Sequence, residues 1–225
     1  DATPAIAERL GLAIGQRLRG ARGQPWSPSF AGESVRLLEK TPKNILRLPF
    51  LREIFPDARF VVLYREPGPS IASMMEAWES GRFVTYPQLP DWPGMPWSLL
   101  LVPDWQDLAG QPLARIVAEQ WHRANTTLLD DLAGLPEDQF TLVRYEDFVQ
   151  RPQQELARLC AFTDLNLGVR MRAITARGLE LSRYTVSPPD PDKWRRRAGE
   201  IEPLLDQLLP VWQQLSALQR RGESR

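Results

Sequence analysis

The apolar residues of the chain change their spacing from segment to segment, and each spacing predicts a different element. From Ile6 to Leu18 an apolar residue recurs at every fourth position, which predicts an amphipathic helix over residues 4–19. Residues 59–64, RFVVLY, bring an almost uninterrupted apolar run after a Pro-Asp turn. Such a run is typical of a central strand in a parallel sheet with helices covering both faces.

The remaining segments repeat this order of strand and helix. A helix is predicted from Pro69 to Trp78, whereas residues 86–106 hold several prolines and three tryptophans without periodicity and predict a long loop. Further along, the spacing predicts a long helix, a strand and two more helices, over residues 112–132, 139–148, 152–162 and 192–218. The alternation predicts one α/β domain over residues 1–225, with a central, mostly parallel sheet flanked by helices.

Composition excludes several classes of function. The 28 basic and 28 acidic residues cancel, so the chain has no overall field that would hold nucleic acid or an anionic membrane. Cys160 is the only cysteine, which excludes an intrachain disulfide and a cysteine-built zinc site and fits a reducing compartment. No apolar run approaches the roughly 20 residues of a membrane helix, and no signal peptide follows Asp1. These features predict a soluble, cytoplasmic protein.

Arg65 ends the predicted strand, and a tight turn and a helix follow it directly. The guanidinium, the free N–H groups of a helix start and the positive end of the helix dipole would then point to one place, which favours a phosphate. Ser73 is close enough along the predicted helix for its hydroxyl to join the same anion. An arginine at the end of a strand also commonly forms a structural ion pair, and the residues alone leave both interpretations open.

Three stretches together resemble one known family. Residues 39–75, EKTPKNILRLPFLREIFPDARFVVLYREPGPSIASMM, are similar to the central block of the sulfotransferases that use 3′-phosphoadenosine 5′-phosphosulfate. LVRYEDFVQRP, residues 142–152, resembles a later strand and turn of that family, and PDPDKW, residues 189–194, resembles its donor-closing loop. The resemblance implies a P-loop-like sulfotransferase fold. It also implies transfer of a sulfuryl group from this donor to a hydroxyl or amine acceptor, without a metal.

The resemblance also implies roles for particular residues. By this resemblance, Arg65, Ser73 and Tyr145 would bind the 3′-phosphate of the donor, and Lys40 would contact the transferred sulfuryl group. Ser182 and Lys193 would bind the donor from the loop that covers it. Sulfuryl transfer moves negative charge onto the leaving phosphate oxygens, so a fixed ammonium there lowers the barrier. Lys43 is more simply a solvated charge at a helix start. For the tyrosine, a hydroxyl bonded to a neighbouring residue is the alternative interpretation.

One part of the family pattern does not occur in these residues. The family carries, before the Lys-Thr-Pro block, a P-[RK]-S-G-T loop that grips the 5′-phosphosulfate, and no such loop occurs in the chain. Because the sequence begins at Asp1, we expect the loop and its strand to precede it, and the alternative is a degenerate member of the family without activity. We therefore predict an unpaired edge along the strand at residues 60–64. We also predict that Arg65, Ser73 and the first N–H groups of the following helix face an open cavity.

Several alternatives stay open at the level of sequence. His122, the only histidine, has suitable chemistry for a general base but lies in the middle of a predicted helix. Trp92, Trp97 and Trp105 either line an apolar acceptor pocket or pin the long loop to the core. A nucleotide or small-molecule kinase of related fold, and a non-catalytic binding domain that kept the fold, are the alternatives to a sulfotransferase. The residues indicate no oligomeric state.

Overall fold

The structure is a computed structural model and describes residues 2–19, 25 and 36–223. The chain divides into two compact units, Asp1–Ala58 and Arg59–Arg225. The first unit contains helix α1 (Pro4–Arg17), a 3₁₀ turn (Pro42–Leu46) and helix α2 (Leu48–Ile54).

The boundaries of α1 follow from its first residues. Thr3 caps the helix, since its hydroxyl accepts the N–H of Ile6 at 3.3 Å. Pro4 follows at the first helical position, where no intrahelical N–H bond is lost. The predicted N-terminal helix is confirmed. The sequence NILRLPFLREIF, residues 44–55, also has a helical pattern, and the structure divides it at Arg47 into the 3₁₀ turn and α2.

The second unit is mixed α/β and mostly helical. Its elements are, in order, β1 (Phe60–Tyr64), α3 (Pro67–Glu79), β2 (Val84–Tyr86), β3 (Trp97–Ser98), α4 (Leu113–Ala133), β4 (Phe140–Arg144), α5 (Tyr145–Gln150), α6 (Pro152–Phe162), α7 (Val169–Ala176) and α8 (Ala198–Glu223). Two 3₁₀ turns, Trp105–Leu108 and Lys193–Arg197, precede α4 and α8.

β1 and β4 pair in parallel and in register along their length. Among the described residues this sheet holds these two strands alone, so the predicted unpaired edge of β1 is confirmed there. The prediction that helices cover both faces of β1 is wrong, because Val61 and Leu63 are 44% and 60% exposed. Val62 and Tyr64, on the other face, are buried. Among the described residues, the central, mostly parallel sheet predicted from the sequence consists of this parallel pair.

The core of the second unit lies between α3, α4, α8 and β4. Ile71 and Met75, one turn apart on α3, are completely buried. α8 buries Ile201, Leu208 and Leu215, which recur at seven-residue spacing and so share one face of the helix. Each such side chain contributes roughly 1.5–3 kcal/mol relative to an exposed one. This core holds α3 in place beside the sheet.

The tryptophans of the long loop pack on one another. Trp97 is fully buried, and the rings of Trp92 and Trp105 meet its ring at steep angles, with centroids 4.8 and 6.1 Å away. The buried amide of Gln120 donates to two carbonyls of the same loop at 3.0 and 2.7 Å and accepts the indole N–H of Trp78 at 2.9 Å. These contacts favour the interpretation that the tryptophans pin the loop to the core.

Candidate functional site

The parallel pairing of β1 and β4 brings two predicted site residues together. Arg65 follows the last residue of β1, and Tyr145 follows the last residue of β4. Since parallel strands end at the same edge of a sheet, both side chains lie at that edge. The guanidinium carbon of Arg65 is 4.7 Å from the centre of the Tyr145 ring, a cation–π distance.

Arg65 has an unsatisfied donor. Its Nε lies 3.8 Å from Oε1 of Glu146, which is beyond hydrogen-bond distance. This Nε atom is buried and has no hydrogen-bond partner among the described residues, although the side chain as a whole is 30% exposed. A buried donor without a partner costs about 1–3 kcal/mol. An anion that reached this guanidinium would remove that cost.

The neighbouring arginine, Arg144, forms close ion pairs with two glutamates by contrast. It forms ion pairs with Glu66 and, at 3.3 Å, with Glu146, and its guanidinium lies 5.2 Å from the ring centre of Trp212. Burial lowers the pKa of this guanidinium, but the neighbouring carboxylates raise the pKa by more than burial lowers it. The pKa therefore lies above its ordinary value. Arg144 therefore serves the structure of the sheet edge, whereas Arg65 forms a longer ion pair there, with Glu146 at 3.8 Å.

A pocket of about 280 Å³ opens along one face of α3. Pro69, Ser73 and Ala77, at four-residue spacing on that face, contribute to its wall. The pocket brings together four of the predicted site residues, namely Arg65, Ser73, Tyr145 and Lys193. The predicted proximity of Ser73 to Arg65 around one cavity is thus present in the structure.

The first turn of α3 departs from the prediction. Pro67 and Pro69 have no N–H, and the N–H of Ser70 is bonded to the carbonyl of Glu66 at 3.1 Å. Gly68 is buried against the indole of Trp194, and a Cβ at this glycine would lie 3.3 Å from the ring. The predicted row of N–H groups facing an open cavity is therefore wrong. Side chains supply the donors of this pocket.

Lys193 is held by two partners inside the pocket. Its ammonium donates to Oε2 of Glu76 at 2.8 Å and to the hydroxyl of Ser187 at 2.6 Å, and that hydroxyl donates to the same carboxylate oxygen at 2.7 Å. Burial raises the pKa of Glu76, but the hydrogen bonds from Lys193 and Ser187 and the nearby positive charges outweigh it, so the pKa falls below its ordinary value. The three groups form a closed, charge-neutral cluster.

The far end of the pocket is apolar. Phe83 and Leu99 line it, and Leu99 has a φ of 64°, a conformation that costs a non-glycine residue free energy. Its N–H donates to the carbonyl of Phe83 at 3.0 Å, and the hydroxyl of Thr85 donates to its carbonyl at 2.6 Å. The hairpin of β2 and β3 thus keeps Leu99 in this conformation at the pocket wall.

A model of the sulfotransferase family matches residues 24–168. The chain belongs to this sulfotransferase family. The matched range holds four predicted site residues and ends before the other two, with Lys40, Arg65, Ser73 and Tyr145 inside it and Ser182 and Lys193 outside.

One solved structure, described as the sulfotransferase domain from the curacin biosynthetic pathway, is similar to this chain. The identity is 16%, the TM-score is 0.48, and the similar region covers 96% of this chain and 67% of that chain. No curated protein matches the sequence. The family assignment rests on the family model.

Two of the predicted site residues, Ser182 and Lys40, do not line the pocket. Ser182 is exposed, and its hydroxyl accepts the N–H of Tyr184 at 3.2 Å in the turn that leads into the wall. Lys40 is exposed in the first unit, just before the 3₁₀ turn that contains Lys43. His122 is half-buried on α4 and does not line the pocket. The structure therefore adds no support for His122 as a general base.

Several residues of the pocket were missed by the sequence analysis. Glu76 lies three positions after Ser73, so helical spacing could have placed both on one face of α3. Phe83, Leu99 and Trp194 belong to segments without periodicity and carried no such signal. Within the described ranges, no helix is long and apolar enough to cross a membrane, and no cluster of side chains suits a metal ion.

Proposed function

We propose that this protein transfers a sulfuryl group from 3′-phosphoadenosine 5′-phosphosulfate to a hydroxyl or amine acceptor. The observation that carries the proposal is the buried Nε of Arg65, which has no hydrogen-bond partner among the described residues, in a pocket that Ser73 and Tyr145 also line. Membership of the sulfotransferase family supports sulfuryl transfer over phosphoryl transfer.

In this proposal the 3′-phosphate of the donor binds at the edge of the sheet. Arg65 supplies a charged, forked donor, and Ser73 adds a hydroxyl from α3. The ring of Tyr145 keeps the guanidinium in place through the cation–π contact. The 3′-phosphate is the group that distinguishes this donor from ATP, so its recognition sets the choice of nucleotide.

Lys40 is the proposed catalytic cation. During transfer, a bond forms between sulfur and the acceptor oxygen or nitrogen, while the bond from sulfur to the 5′-phosphate oxygen breaks. Negative charge grows on that phosphate, and an ammonium beside it lowers the barrier. The acceptor proton leaves to a base or to solvent, and the chemistry needs no metal.

We further propose that both units belong to one catalytic domain over residues 1–225. The family match begins at residue 24 and ends at residue 168, so it crosses the division between Ala58 and Arg59. Lys40 lies on one side of that division, whereas Arg65 and Ser73 lie on the other.

Calorimetric titration with three nucleotides tests the function. We expect 3′-phosphoadenosine 5′-phosphate to bind at least ~30-fold more tightly than adenosine 5′-phosphate, since the latter lacks the group that Arg65 and Ser73 bind. ATP should bind no better than adenosine 5′-phosphate. Preferential binding of ATP would support a kinase instead, and binding of none of the three would overturn the proposal. A binding domain would bind 3′-phosphoadenosine 5′-phosphate tightly. It would release no product from the sulfated donor with any phenol, alcohol or amine offered as acceptor.

A further inference from the structure

The segment from Tyr184 to Trp194 forms one wall of the pocket. Most of it has no regular secondary structure, and the backbone hydrogen bonds at its ends are local, such as Lys193 N–H to the carbonyl of Asp190 at 3.2 Å. A segment of this kind opens readily unless its side chains attach it to a rigid element. Its attachment to α3 therefore decides whether the pocket has this wall.

Two ion pairs attach the segment and the turn that follows it to α3. Glu76 binds Lys193 and Ser187 inside the pocket, at 2.8 and 2.7 Å. Glu79, almost one turn further along α3, binds Arg197 at 2.7 Å, and neither of these two residues lines the pocket. The first pair is more buried than the second, since the Glu76 side chain is 26% exposed and the Glu79 side chain is 46% exposed.

The charge of Lys193 is already neutralised in this arrangement. Its ammonium has three protons, and two of them are directed to Glu76 and Ser187. A phosphate bound to the third proton would lie close to the Glu76 carboxylate and would be repelled by it. Lys193 is therefore a poorer direct ligand for an anion than Arg65, whose buried Nε has no hydrogen-bond partner among the described residues and lies 3.8 Å from the Glu146 carboxylate.

We propose that Glu76 is a positioning residue for donor binding, which fastens Lys193 and Ser187 to α3 and so holds the wall of residues 184–194 beside Arg65 and Ser73. This inference rests on the proposed function, because it takes the occupant of the pocket to be the adenylyl donor. It gives Lys193 a structural role in place of the direct contact that the family resemblance implies.

The test compares Glu76→Gln with Glu79→Gln, a matched change on the same helix outside the pocket. Hydrogen exchange of residues 184–194 should become faster in Glu76→Gln and in Ser187→Ala and stay unchanged in Glu79→Gln. Titration with 3′-phosphoadenosine 5′-phosphate should show a loss of about tenfold in affinity for Glu76→Gln, the size of one charged hydrogen bond. Glu79→Gln should change the affinity by less than about twofold.

Lys193→Met separates the structural role from direct anion binding. If Lys193 acts through Glu76, Lys193→Met and Glu76→Gln lower the affinity equally, and the double variant is no weaker than either. A rise in affinity in Glu76→Gln, or a much larger loss in Lys193→Met, would overturn the inference and make Lys193 a ligand.

The two proposals fail in different ways. If the unaltered protein does not bind the bisphosphate, the proposed function fails. The exchange measurement still decides whether Glu76 fastens the wall. Unchanged exchange of residues 184–194 in Glu76→Gln refutes the fastening whatever the nucleotide result.

Discussion

Two cations of one pocket are held in opposite ways. Arg65 is 3.8 Å from its nearest carboxylate oxygen and keeps a buried Nε without a hydrogen bond, whereas Lys193 is 2.8 Å from Glu76 and also bonded to Ser187. Charge alone therefore does not mark a ligand-binding residue. We propose that an incoming anion binds Arg65, the cation that keeps a buried donor without a hydrogen bond.

Lys40 extends this contrast to a cation outside the pocket wall, and its replacement should have the largest effect. We expect Lys40→Ala to lower kcat by about 100- to 1,000-fold with little change in the donor KM, because the charge that it would meet develops only during transfer. Steady-state kinetics with an acceptor taken from a panel of phenols, alcohols and amines measures both constants. Lys43→Ala is the control and should do little. Equal, small effects would remove the catalytic role of Lys40.

Arg65→Ala should have the next largest effect, on binding. We expect a loss of roughly 2–3 kcal/mol in affinity for 3′-phosphoadenosine 5′-phosphate, about 30- to 150-fold, because a charge-assisted contact is lost. Affinity for adenosine 5′-phosphate should not change. Arg59→Ala, which removes an arginine paired with Asp164 at 2.6 Å outside the pocket, is the control for calorimetry. Equal losses for both nucleotides would show that Arg65 does not recognise the 3′-phosphate.

Ser73→Ala should have a smaller effect of the same kind. The loss in affinity for the bisphosphate should be about 1 kcal/mol, the size of one neutral hydrogen bond. Ser80→Ala serves as the control at the other end of α3, where the hydroxyl donates to the carbonyl of Ala77 at 2.8 Å. If the same calorimetry showed unchanged binding in Ser73→Ala, Ser73 would not contact the 3′-phosphate beside Arg65.

The contribution of the Glu76 cluster to the free energy of unfolding should be the smallest of these effects, and it should depend on pH. The pKa of Glu76 is lowered in the folded chain, so its contribution to stability is present above its ordinary pKa of 4.5 and is lost as pH falls through the folded pKa. We expect urea unfolding to give a difference below about 1 kcal/mol between the unaltered protein and Glu76→Gln at pH 7. This difference should vanish in acid. A difference that grew in acid would contradict the depressed pKa.

The sequence predicted the order of elements from α1 to α8 better than their exposure. An apolar run such as that of β1 shows that a strand can be buried, but not which face is, and Val61 and Leu63 proved exposed. The second strand was predicted to continue past Arg144. It gives way to α5 there, and Glu146 and Asp147 suit the first turn of that helix.

The candidate site was predictable only where local spacing defines it. Arg65 and Ser73 were found because a strand end and one helix face bring them to the same cavity. The bond between Glu76 and Lys193 joins residues far apart in the sequence, and no local pattern indicates which carboxylate a distant lysine meets. Whether a charge is paired is a tertiary property, so the different states of the two cations could not be foreseen.

Because Gly68 contacts Trp194, the side chains that fit at one of these positions depend on the residue at the other. A methyl group at position 68 would meet the indole at 3.3 Å, so any larger residue would have to displace the ring. The glycine within REPGPS thus makes room for a side chain more than a hundred positions later in the sequence. Among related sequences, we expect the size of the residue at position 68 to vary inversely with the size of the side chain at position 194.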